Sequence, residues 1–114
     1  LHMGLLYGYD AALIAARRFD ESLRFSEAQL QNYPDDVRLH KMRAESYAGL
    51  GRKAQQHQAL AQAFALQGQT AAAVEQLQLA ERAGDANFFE LSVIDARLRE
   101  LKRQLLEELK EKRN

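Results

Sequence analysis

"AFALQGQTAAAVEQLQLA", residues 63–80, holds two apolar runs broken by Gly68. On a helical clock its small residues fall where one helix meets a neighbour, and its leucines fall between them. Small side chains let two backbones approach and large ones fill the remaining gaps. The stretch therefore reads as a helix hairpin turning at Gly68.

Working outward, helix punctuation recurs along the chain. A first helix is predicted from about Leu5 to Ala16, and a second is capped by Asp20 and ends before Pro34. "YPDD" is a turn whose Asp35 or Asp36 caps a third helix ending near Leu50-Gly51. A fourth spans about Ala54 to Gln67, and a fifth starts at a Thr70 cap and stops at Gly84. Asn87 with Glu90 forms a capping box that opens a long sixth helix towards Lys112. No stretch alternates as a strand would.

The spacing is periodic. Leu13 and Tyr47 are 34 residues apart, Tyr47 and Phe64 are 17 apart, and so are Gly51 and Gly68, and His40 and His57. A 34-residue period with a 17-residue half is the tetratricopeptide spacing, one helix–turn–helix per period. "HQALAQAFALQGQTAAAVEQLQLA" resembles such a unit: Leu60-Ala61 fill its Leu-Gly slots, Phe64 its first-helix aromatic, Gly68 its turn, and Ala73 and Ala80 its small residues. The first unit is a weaker match, with Ser22 and Gln29 in the small slots and Asp10 where Gly or Ala is expected. Asp10 is expected to pair with a base or to lie at a frayed end, since an unpaired buried carboxylate is costly. The fold expected is an all-α tetratricopeptide solenoid: about two and a half units over residues 5–86, then a C-terminal capping helix over 87–114. Residues 1–4 read as terminal or vector-derived, the start Leu1-His2-Met3 suggesting an excised piece.

Composition narrows the function. Sixteen basic residues balance sixteen acidic ones, which does not suggest a nucleic-acid partner. There is no cysteine, so disulfides, thiolate metal sites and cysteine nucleophiles are excluded. No apolar run reaches the roughly 18 residues of a membrane span. His40 and His57 occupy equivalent repeat slots without further ligands nearby and read as packing residues rather than metal ligands. No nucleophile elbow accompanies the serines, so no catalytic residue is assigned.

A stacked solenoid leaves a groove lined by the first helix of each unit. Its inner-face slots here are Tyr7, Ala11 and Ile14, then Arg38, Lys41 and Glu45, then Gln55, Gln58 and Gln62. Such a groove suits a peptide, with Arg38 and Lys41 taking a carboxylate. The alternative is that these positions are solvated surface and inter-repeat packing. Glu45 stands where an asparagine clamp for C-terminal tails would need Asn. Along helix six, Leu91, Ile94, Leu98, Leu101, Leu105 and Leu109 form an apolar stripe, with Asp95–Arg99 and Glu108–Lys112 as supporting pairs. Helix one is crowded by Leu5, Leu6, Tyr7, Tyr9 and Leu13, a face through which the chain is expected to self-associate.

"YGYDAALIAARRFDESL", "HQALAQAFALQGQTAAAVEQLQLA" and "FFELSVIDARLRELKRQL", in this order, resemble the C-terminal region of a bacterial family of periplasmic HExxH zinc metalloproteases that carry tetratricopeptide repeats. The similarity runs from about Tyr7 to Leu105. It implies a periplasmic parent protein active in outer-membrane protein quality control. In that parent this region would dock unfolded outer-membrane proteins or the assembly machinery, or else pack on and gate its own protease domain. No HExxH is present, so no protease residue carries over, and zinc is expected only in the protease domain, with no cofactor in this piece.

Overall fold

Three-residue links set the architecture. The computed structural model describes residues 2–113, and over them every regular element is a helix. These are α1 (Met3–Ala15), α2 (Phe19–Asn32), α3 (Val37–Gly49), α4 (Lys53–Leu66), α5 (Thr70–Arg82) and α6 (Phe88–Arg113). Each packs chiefly on its neighbours in sequence, and α1 also reaches α3. The radius of gyration is 15.0 Å and the extents are 47 × 34 × 20 Å. A compact domain of this length would measure about 13 Å, so the stack is elongated and flat.

One C-terminal cap is used three times. After α1, α3 and α4, the N–H groups of Arg18, Arg52 and Gln69 reach back to the carbonyls of Leu13, Tyr47 and Phe64 at 2.8, 3.0 and 2.9 Å. Inside each, Arg17, Gly51 and Gly68 donate to Ile14, Ala48 and Ala65. These paired bonds are the Schellman pattern, which needs a left-handed residue at its centre. Gly51 and Gly68 supply it at φ of 73° and 76°, while Arg17 adopts φ of 60° despite its side chain. The residues that set the 34- and 17-residue spacing are thus the acceptors of one repeated turn.

This geometry corrects two expected N-caps. Because a single residue separates the left-handed position from the next helix, the cap positions fall to Arg18, Arg52 and Gln69, none with a side-chain cap. Asp20 lies inside the first turn of α2, where its charge still suits the helix dipole. Thr70 is the first residue of α5, is buried, and its hydroxyl donates to Glu108 Oε2 at 3.0 Å. Elsewhere the expected caps form. Asp36 Oδ1 accepts from the Leu39 N–H at 2.9 Å. Asn87 and Glu90 exchange backbone-to-side-chain bonds of 3.0 and 2.8 Å.

The core is driest at the α4–α5–α6 end. Ala54, Ala61, Ala73, Val74, Leu77 and Ala80 pack with Ile94, Leu98 and Leu101 of α6, and Phe64 and Leu105 close the edge. The α6 stripe is buried only in its middle: Leu91 and Leu109 are exposed. Asp95 and Arg99 pair at 2.9 Å. Glu108 instead accepts from Thr70 and Gln104, leaving the expected pair with Lys112 unmade.

At the other end the core is polar. Asp10 is fully buried without a base, in the body of the first helix, α1. Its Oδ1 lies 2.5 Å from Ser22 Oγ, which lies 2.7 Å from Ser46 Oγ, and Ser46 donates to the Met42 carbonyl at 2.9 Å. Asp10 Oδ2 has no partner. Burial, together with the charge of Glu45, pushes its carboxyl above the usual range against the lowering effect of the Ser22 hydroxyl.

Candidate functional site

The expected groove residues divide into two groups. On α1 and α3, the Arg38 guanidinium lies 4.8 Å from the centre of the Tyr7 ring. The Tyr7 hydroxyl donates to Asp36 Oδ2 at 2.5 Å, and this bond raises the phenol above its ordinary pKa. Arg38, expected to take a carboxylate with Lys41, is therefore stacked on Tyr7. Ala11, Lys41 and Glu45 are exposed and Ile14 is half-buried.

The second group forms a cleft. Gln58 and Gln62 of α4 line a cavity of about 240 Å³ together with Arg43 of α3, Ala61, Leu77 of α5, and Val93 and Arg97 of α6. Gln58, Ala61 and Gln62 share one α4 face because they are three and four residues apart. Val93 and Arg97, four apart on α6, form the facing wall. Arg97 donates to Gln62 Oε1 at 3.3 Å and pairs with Glu100. Arg43 stacks on Tyr47 with its guanidinium carbon 5.1 Å from the ring centre, and pairs with Glu27 at 3.2 Å.

No family model matches this chain, and a search of curated proteins finds no match.

Chemically the cleft combines amide and guanidinium groups with aliphatic side chains. Its floor is aliphatic, its walls offer two amides, and two guanidiniums sit at its rim. An amide side chain can both donate to and accept from a peptide backbone, and arginine retains spare donors after one ion pair. Arg43, Val93 and Arg97 were not among the expected groove residues. The 3.6-residue period places Arg97 beside Val93, but which α6 face meets α4 depends on the crossing of two distant helices.

His40 and His57 are held by packing and hydrogen bonds. His40 is buried with Nε2 2.7 Å from the Pro34 carbonyl, and His57 Nδ1 is 2.8 Å from Gln76 Oε1. Among the described residues no three His, Cys, Asp or Glu side chains converge as a metal-binding group, and no helix is long and apolar enough to cross a membrane.

Two apolar surfaces remain. Phe88 and Phe89 are 87% and 74% exposed at the start of α6, just after the Asn87 N-cap. On α1, Leu5 and Tyr9 are exposed, Tyr9 packing edge-on against Phe25 at 4.7 Å, whereas Leu13 is buried.

Proposed function

We propose that this chain is a tetratricopeptide-type docking module, the substrate- or partner-binding region of a periplasmic zinc metalloprotease in outer-membrane protein quality control. The observation that carries the reading is the cleft between α3, α4 and α6, where Gln58 and Gln62 of the expected groove meet an apolar floor and two arginines. The repeated turn at Leu13, Tyr47 and Phe64 supports the repeat assignment. An extended segment of an unfolded outer-membrane protein would set an apolar side chain against the exposed Val93 and its backbone against the glutamines. Catalysis, and the zinc it needs, would belong to a separate protease domain.

The exposed Phe88–Phe89 pair favours a second reading, in which the repeats pack on that protease domain and gate it. An exposed aromatic pair suits a lasting intramolecular interface. Photo-crosslinking from Gln62 and from Phe89 in the intact parent protein, in cells, separates the two. Adducts from Gln62 to separate envelope proteins support docking. Adducts from both positions to the protease domain alone replace docking with gating.

A further inference from the structure

We infer that Asp10 is a neutral carboxylic acid that donates its proton to Ser22, and that ionisation of Asp10 releases α1 from α2 and α3. Proton counting carries this, independently of any docking role. A hydroxyl owns one proton. The Met42 carbonyl can only accept, so the proton of Ser46 is spent there. In the 2.7 Å contact between Ser22 and Ser46, the donor must then be Ser22. Ser22 has nothing left for Asp10, and the 2.5 Å contact between them requires a proton from the acid. The chain runs Asp10 to Ser22 to Ser46 to the Met42 carbonyl with every proton placed once.

An ionised Asp10 would reverse this order. Ser22 would turn its proton to the carboxylate and Ser46 would turn its own to Ser22, giving up the 2.9 Å bond to the Met42 carbonyl. The second carboxylate oxygen, Oδ2, has no partner. A neutral carbonyl oxygen tolerates that far better than half of a buried anion does.

The electrostatic surroundings agree. From α3 the charged group facing Asp10 is Glu45, beside Ser46, and it opposes ionisation. From α2 the facing group is the Ser22 hydroxyl, while Arg18 and Glu21 at that helix's start pair with each other at 2.7 Å in solvent. On α1 itself Asp10 is the sole carboxylate, with Tyr7 and Tyr9 as the other titratable groups in Met3–Ala15. No lysine or arginine pairs with it among the described residues.

The consequence falls on α1 because α1 is thinly held: Asp10 and Leu13 are its two fully buried residues. A carboxyl whose pKa is raised on folding keeps its stabilising proton at low pH. That contribution is lost between the unfolded pKa of about 3.9 and the higher folded value. As pH rises across that window, α1 loosens and the Tyr7–Asp36 bond goes with it.

The test is a ¹³C-detected titration of the Asp10 carboxyl in the 114-residue chain. It is read beside amide exchange protection in α1 and in α5, with intrinsic exchange divided out. The expected result is a carboxyl that stays protonated well above the ordinary range. The α1 opening constant then rises about tenfold per pH unit up to the Asp10 midpoint and levels off. Asp10→Asn, whose amide can donate to Ser22 at every pH, removes that slope and leaves α5 unchanged. A midpoint at or below about 3.9, or an unchanged slope in Asp10→Asn, overturns the inference. Should Asp10→Asn not fold, the wild-type carboxyl midpoint decides alone.

Discussion

The α1–α2 and α4–α5 pairs share one turn, 51 residues apart: Asp10 corresponds to Ala61, Leu13 to Phe64, Arg17 to Gly68 and Ser22 to Ala73. Both put their small-slot residues out of solvent. At α4–α5 that crossing is two methyl groups. At α1–α2 it is a carboxyl and a hydroxyl that must satisfy each other. The backbone plan tolerates either filling, but only the alanine version is indifferent to pH. One turn can therefore join two helix pairs of which only one is conditional on pH.

The difference can be broken or sharpened experimentally, from the largest effect down. Leu77→Ala empties the middle of the dry end, where Leu77 is wholly buried, and should cost about 2–5 kcal/mol in urea unfolding. At the polar end, Ser22→Ala leaves Asp10 without its acceptor and should cost about 1–3 kcal/mol. Adding Asp10→Ala rebuilds the alanine crossing, and the double variant should recover most of that loss at pH 8, a non-additivity read by a double-mutant cycle.

Asp85→Ala should cost about 1 kcal/mol, because its carboxylate accepts the N–H groups of Lys53 and Ala54 at 2.6 and 2.9 Å and caps α4. The backbone N–H of Ala54, chiefly, holds the Asp85 pKa below the usual carboxylate range. Its contribution is therefore complete above about pH 4 and is lost as pH falls through the lowered value, opposite in sign to Asp10. Smallest of all, Arg17→Gly relieves a left-handed arginine and forfeits its stacking on Phe19, where the guanidinium carbon sits 5.3 Å from the ring centre. The balance should be a gain of about 0.5 kcal/mol, visible as a small rise in Tm.

What the sequence discloses and what it conceals follow the range of each interaction. Turns built from neighbours were legible: Gly51, Gly68, the Asp36 cap and the Asn87–Glu90 box all depend on residues within a few positions. Asp20 and Thr70 misled because cap preference ignores how tightly the preceding helix closes. Asp85 could not be foreseen as a cap for α4, since the contact spans 31 residues. The bare "GRKA" start of α4, with no Ser, Thr, Asp or Asn, shows only that a partner is wanted. The cleft was half legible, as Gln58 and Gln62 lie on a face set by helical period. Arg43, Val93 and Arg97 join them through tertiary crossings that periodicity does not encode.

The Asp85 contact also imposes an order on the chain as it is made. The first turn of α4 leaves the ribosome about thirty residues before the carboxylate that completes it. Until Asp85 emerges, α4 begins with open N–H groups, and the link between α5 and α6 acts as a clasp on a helix already built. A nick between Ala83 and Asn87 would reopen that clasp at a distance, fraying α4 while its own peptide bonds remain intact.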